Sequence, residues 1–382
     1  IRSVQLKKAL GYNEDTYLNF TELTTKYKYQ TETHNVITED DYVLTVFRIL
    51  PNCSDPNKSY PVLLVHGILD TADTWILSGP GSGLAYILAD NCYDVWAINN
   101  RGNHYSRKHV RLDPNKDAVY WNFTFDENGN FDLPATIDYV LEKTGHSKVF
   151  YIGHSQGTTQ YFVMCTLRPD YNEKIRLGVQ LAPVVYMRNF TNIFAQFAAR
   201  YHESIKLFLE SSGLLELFSR DRIVHLLAEF VCEKVPILCE LGLSIGTDYK
   251  VGTIPAKDIP VIFGHLPSGT SVKTLEHYAQ LLLSGNFLRY NEGRKGNLQR
   301  YGTAKSPEYN ISLTTSPVVL FAGTSDSLSS VVDANRLASK LPNLIEYHIV
   351  PKSYWSHANY LWGNNAPDIL YSKILDYFNA FK

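Results

Sequence analysis

Along the chain, short apolar runs of strand length alternate with longer stretches of helical periodicity, and the alternation stops and restarts once. His34–Ile37 and Tyr42–Ile49 flank Glu39-Asp40-Asp41 and predict a β-hairpin. Beyond it Pro61–His66, Tyr93–Ile98, Lys148–Ile152 and Leu177–Leu181 read as strands, with Gly83–Asp90, Leu133–Lys143 and Gln156–Arg168 as the helices between them. Strands separated by helices predict an α/β fold with a mostly parallel sheet covered on both faces. The rhythm resumes at Pro317–Phe321 (strand), Val331–Leu341 (helix), Ile345–Val350 (strand) and Ile369–Phe381 (helix). From 183 to 309 it is lost, and Ile193–Phe208, Leu214–Phe218 and Ile223–Val231 look helical. A chain that leaves a sheet and returns to it favours an insertion over a separate domain. The expected organisation is therefore a core of residues 1–182 and 310–382, with a mainly helical cap and lid, 183–309, above the carboxyl edge of the sheet.

Composition narrows the function classes. At 382 residues, 45% hydrophobic and 19% charged, the chain can bury a sizeable core. A formal charge of -2 leaves no footprint for a nucleic-acid partner or an anionic membrane surface. No apolar run approaches the roughly 18 residues of a transmembrane segment. The sequence starts at Ile1 without a charged and then apolar leader, as after removal of a signal peptide or trimming. Asn-x-Ser/Thr sequons at Asn19, Asn52, Asn57, Asn122, Asn189 and Asn310 point to the secretory pathway. Five cysteines allow at most two disulfides, and none has the C-x-x-C spacing of a structural zinc site, so no metal is expected.

The candidate chemistry sits where a strand should meet a helix. Gly153-His154-Ser155-Gln156-Gly157 is a G-x-S-x-G motif, and in that context a sharp turn would lift the Ser155 hydroxyl above the sheet. Acyl transfer also needs backbone donors for the developing oxyanion. The amide of Gln156 follows the nucleophile, and the loop His66-Gly67-Ile68-Leu69 offers Ile68 as the second donor. Acid and base follow the nucleophile in that order in this arrangement. His357 lies just past the last strand, whereas His348 lies inside it and His265 and His277 fall in the insertion. Asp326 follows the strand Pro317–Phe321, whereas Asp333 falls where a helix should start and an Asp more often caps. The insertion thus precedes the strand bearing the acid. No cofactor is required by such chemistry.

At these residues the chain resembles the acid lipase family, which includes gastric and lysosomal acid lipases. The resemblance spreads over Leu88–Trp96, Asn100–Asn103, Tyr105–His109, Asp132–Pro134, Gly153–Thr159, Leu181–Pro183, Pro267–Ser271 and Trp355–Gly363. It implies an α/β-hydrolase core, a Ser155–Asp326–His357 triad, Ile68 and Gln156 as oxyanion donors, and a cap disulfide between Cys232 and Cys239. It also implies a lipid ester substrate met at a lipid–water interface, triacylglycerols and cholesteryl esters, and a secreted or lysosomal destination. The sequence departs from the family's usual Leu at Ile68, a change a backbone donor tolerates, and in the acid loop at Leu328-Ser329-Ser330. Pro236, between the two cap cysteines, should break a helix there and let them meet. Hydrolysis of smaller soluble esters, or a lipid carrier without catalysis, are the alternatives. The apolar residues of Phe190–Leu243 would divide between cap core and an acyl tunnel or lid.

Overall fold

In the computed structural model, residues 2–9, 11–55, 59–218, 231–232 and 235–382 are described. The expected helix Ile223–Val231 falls almost entirely outside them, as does Asn57. The strands are β1 (Thr31–Ile37), β2 (Tyr42–Ile49), β3 (Pro61–Val65), β4 (Asp94–Ile98), β5 (Lys108–His109), β6 (Val149–His154), β7 (Ile175–Leu181), β8 (Glu216–Leu217), β9 (Thr270–Ser271), β10 (Val318–Ala322) and β11 (Leu344–Ile349). The central sheet runs β1-β2-β4-β3-β6-β7-β10-β11, with β5 also on β2. From β4 to β11 every pairing is parallel; β2 joins β1, β4 and β5 antiparallel. Every residue of β3, β4, β6 and β10 is buried, as a parallel sheet covered by helices on both faces requires.

The register positions the functional end of the sheet. Val65 stands opposite Gly153, and His154 opposite Leu181, so the loops leaving β3, β6 and β7 emerge side by side. Between β7 and β10 the chain forms the helices Ile193–Arg200, His202–Ser211, Pro236–Thr247, Asp258–His265, Val272–Ser284 and Gly293–Tyr301. Among the described residues no helix is long and apolar enough to cross a membrane.

Two local expectations are corrected. Leu214–Phe218 is not helical: Gly213 leaves the preceding helix at φ +70°, and Glu216 and Leu217 pair with Ser271 and Thr270 in a two-stranded ribbon. A run of five residues is too short for periodicity to separate helix from strand. Ile193–Phe208 is two helices, because Tyr201 leaves helical geometry (φ -108°, ψ 17°) and starts a new one.

Candidate active site

The turn from β6 into the helix Gln156–Leu167 holds Ser155 at φ 53°, ψ -116°, a conformation that costs a residue with a Cβ on the order of 1–3 kcal/mol. The neighbouring glycines permit it by contact. A Cβ on Gly157 would lie 2.2 Å from the Val65 carbonyl oxygen, and one on Gly153 would lie 2.7 Å from the Gly157 carbonyl carbon. The turn is tied down on all sides. The Ser155 amide donates to Leu181 O (3.1 Å), the Thr158 hydroxyl to Ser155 O (2.6 Å) and the Tyr151 hydroxyl to Gly157 O (2.6 Å). A Cβ on Gly67 would lie 3.3 Å from Ser155 Cβ, so the backbone of the β3 loop packs directly on the serine.

His66 orders that loop. Its Nε2 accepts from the Asn100 amide (3.1 Å), which leaves the proton on Nδ1 to bind Gly67 O at 2.7 Å. Burial pulls its pKa down to about 4, so the ring stays neutral. Farther along, Leu69 takes φ 61° and its carbonyl accepts the Ser268 amide (2.8 Å), while burial pushes the Asp70 carboxyl up to about 8. His154, also buried and held neutral by desolvation, binds His357 O through Nε2 at 3.1 Å.

The other two sequence-selected groups are neighbours. His357 Nδ1 lies 2.9 and 3.1 Å from the two carboxylate oxygens of Asp326. Asp326 Oδ1 also accepts the amides of Leu328 (3.0 Å) and Ser329 (2.9 Å), so four contacts fix the carboxylate. The loop carrying it is fastened to the segment above: Ser327 N donates to Asp248 (2.9 Å), and Ser329 Oγ to Pro183 O (2.9 Å). The loop carrying His357 is fastened through Asn359, which accepts Ser356 N (2.9 Å) and donates to Thr253 Oγ1 (3.0 Å). Asp333 does a different job. The Ser330 hydroxyl caps its amide, and its carboxylate binds the backbone and side-chain nitrogens of Asn189 at 2.8 and 2.9 Å. His348 stays in β11 beside Glu346, and His265 is buried between Asp73 (2.7 Å) and Asp15 O (2.7 Å).

Ser155 and Ile68 line one cavity of about 310 Å³, walled mainly by aliphatic side chains of the helices Ile193–Arg200, His202–Ser211 and Val272–Ser284. A site of that volume and polarity takes an alkyl chain readily. Gln156, also buried, heads the elbow helix. Cys232 and Cys239 are bonded, with Cα atoms 5.4 Å apart, and Pro236 between them occupies the first turn of a new helix. Sequence reasoning missed the second disulfide, Cys53–Cys92, and the polar group His202, Lys206 and Glu276 in the cavity wall. It also gave no role to Asp70 or Asn100. Cys165 is buried and free, its thiol pushed up to about 12 by burial. The sequons at Asn19, Asn52, Asn122, Asn189 and Asn310 are all exposed.

The family model described as alpha/beta hydrolase fold matches residues 60–362, and one described as a partial alpha/beta-hydrolase lipase region matches residues 20–79. Lipase 1 of Drosophila melanogaster is 37% identical over 366 residues, covering 95% of this chain and 80% of its own. Gastric triacylglycerol lipase of Mus musculus is 35% identical over 372 residues, covering 95% and 92%. Among solved structures, the Pyrococcus furiosus esterase Pf2001 superposes with TM-score 0.52 at 14% identity, covering 96% of each chain. The epoxide hydrolase VrEH1 of Vigna radiata does so with TM-score 0.52 at 18% identity, covering 92% and 98%. At such identities these two speak for the fold alone.

Proposed function

The chain belongs to the acid lipase family of α/β-hydrolases, and from that premise we propose that it cleaves triacylglycerols, and cholesteryl esters with them, through an acyl-enzyme on Ser155. The observation that carries the reading is the His357–Asp326 pair (2.9 Å), buried at the same end of the sheet as a strained serine that opens into an apolar cavity. His357 takes the proton of the Ser155 hydroxyl as the oxygen attacks the ester carbonyl. Asp326 fixes the tautomer with the proton on Nδ1 and stabilises the imidazolium. The amides of Ile68 and Gln156 receive the oxyanion, and Gly67, with no Cβ, lets the first of these loops approach. His357 then gives the proton to the departing alcohol, and water repeats the sequence on the acyl-enzyme.

Residues 183–309 act as cap and lid over the core formed by 1–182 and 310–382. The outer faces of the helices Ile193–Arg200, His202–Ser211 and Pro236–Thr247 expose Ile193, Phe197, Leu207, Phe208, Leu238 and Leu241. Apolar groups so arranged suit contact with a lipid–water interface, which is where a water-insoluble ester is met. The protein is one of the secretory pathway, in keeping with its two disulfides, and its destination is outside the cell or the lysosome. Hydrolysis of triolein, cholesteryl oleate and p-nitrophenyl butyrate from pH 4 to 8, with organophosphonate labelling of Ser155, tests the proposal. Rapid triolein hydrolysis, lost in step with labelling, is expected. A labelled enzyme that cleaves only the soluble ester, at a rate flat across its solubility limit, overturns the lipid substrate.

A further inference from the structure

Three side chains interrupt the apolar wall of the cavity that holds Ser155. His202 and Lys206 stand one turn apart on the helix His202–Ser211, and Glu276 faces them from the helix Val272–Ser284. Lys206 Nζ lies 2.8 Å from Glu276 Oε2 and 3.0 Å from the Tyr290 hydroxyl, which donates to that same carboxylate oxygen. One side of the carboxylate is therefore fully engaged. The other oxygen, Oε1, stands 3.9 Å from His202 Nδ1, beyond hydrogen-bond reach. His202 Nδ1 is buried and has no hydrogen-bond partner, and no other polar side-chain atom of the described cavity lining shares that condition.

A pocket that receives only alkyl chain gains nothing from such atoms, since an alkyl ligand offers them no hydrogen bond. A hydroxyl does offer one to each, with its proton on Glu276 Oε1 and its oxygen accepting from His202 Nδ1. A carboxylate is repelled by Glu276, and an ammonium by Lys206. We propose that His202, Lys206 and Glu276 form a specificity site that favours ester substrates bearing a hydroxyl within their otherwise apolar part. This rests on the ester-hydrolase reading above. The hydroxyl can come from a hydroxylated acyl chain or from the free glycerol hydroxyl of a partial glyceride.

The test compares kcat/KM for methyl 12-hydroxyoctadecanoate against methyl octadecanoate, and for monoolein against triolein. The enzymes are the wild type, His202→Leu and the double variant Lys206→Met/Glu276→Leu, each checked for an unchanged thermal transition. In the wild type at least one hydroxylated substrate should lead by about tenfold, the penalty for leaving a buried polar atom unpaired. Both variants should bring that ratio close to one by slowing the hydroxylated substrate. A ratio sensitive to the variants only in the methyl esters assigns the hydroxyl to the acyl chain; one sensitive only in the glycerides assigns it to glycerol. A wild-type ratio of one in both arms, or a preference that survives in His202→Leu, overturns the proposal. Absence of hydrolysis of all four esters, with Ser155 unlabelled, would instead overturn the hydrolase reading beneath it.

Discussion

The sheet and the cap use the same apolar residues to opposite ends. In β3, Val62, Leu63, Leu64 and Val65 are all fully buried, each strand residue meeting helices on one face or the other. In the cap helices Ile193–Arg200 and His202–Ser211, one face turns Ala195, Ala199, Ile205 and Leu209 toward the cavity. The opposite face leaves Ile193, Phe197, Leu207 and Phe208 between 65% and 70% exposed. Apolar surface in the sheet is consumed by folding; in these two helices one side lines the cavity and the other stays exposed, the sides that the proposed function gives to substrate and to an interface. Two histidines differ as well: His66 beside the sheet binds Gly67 O and holds backbone in place, whereas His202 in the cavity wall has a buried nitrogen with no hydrogen bond.

The strongest way to break this division is at the elbow, where the sheet should supply the whole of catalysis. Ser155→Ala keeps the backbone contacts that impose the strained turn, so the thermal transition should stay in place while turnover falls at least about 10⁴-fold. Residual hydrolysis by the purified variant near the wild-type rate would remove the nucleophile from the proposal. Next in size is Asp326→Asn, which presents the wrong tautomer of His357 and should lower kcat by about 10⁴-fold at unchanged fold. Asp333→Asn is its control. Asp333 holds Asn189 and the start of the helix Val331–Ala338, so its loss should appear as a lower Tm with kcat little changed. The reverse pattern would exchange the two aspartates.

The contrast also accounts for what could be read from the chain beforehand. Ser155, with Gly153 and Gly157, was legible because one strand and one helix bracket it, and local geometry does the rest. Asp326 was distinguishable from Asp333 because a loop after a strand and the first turn of a helix ask different things of a carboxylate. The Cys53–Cys92 bond joins residues 39 apart with no local pattern to announce it. The cavity's polar group was hidden for a similar reason: His202 and Glu276 come from different helices, and each alone looks like an ordinary polar position on an amphipathic surface. Leu214–Phe218 was misread because an apolar run that short fits either period. In the sheet, sequence pattern and burial coincide; in the cap, the same pattern serves three surroundings, and only tertiary packing separates them.

A smaller effect sharpens the comparison at one residue type. Leu63→Ala, in β3, should cost about 2–5 kcal/mol and lower the Tm clearly, because the site cannot collapse around the lost atoms. Leu207→Ala, in the cap, should leave the Tm within experimental scatter. A pair of charges at that surface, Phe197→Asp with Leu207→Asp, should instead slow hydrolysis of emulsified triolein by about tenfold and that of a soluble butyrate ester far less. Equal losses on both substrates would mean that these residues serve the cavity or the fold, not an interface.

The last expected effect, on stability and not on turnover, lies in the core's own titrating groups beside the oxyanion loop, where burial acts in two directions. Asp70 keeps its proton up to about pH 8 in the folded chain, against an ordinary value of 3.8, because burial disfavours its charged form. Between pH 3.8 and 8 the unfolded chain has lost a proton that the folded chain retains, so stability falls as pH rises through that window. His66 in the core, and His277 in the segment 183–309, act oppositely. Burial lowers them from 6.5 to about 4 and about 3, so below pH 6.5 the unfolded chain gains protons that the folded chain refuses, and stability falls as pH drops. Asp70→Asn keeps an oxygen to accept the Thr71 amide, which Asp70 binds at 2.7 Å, while removing the first of these dependences. Its Tm should exceed that of the wild type by on the order of 5 °C at pH 8 and converge with it near pH 4. Thermal melts of both proteins at the two pH values measure this directly. An equal shift at both would show that Asp70 contributes through shape alone, and would leave the acid-side loss to the two histidines unopposed.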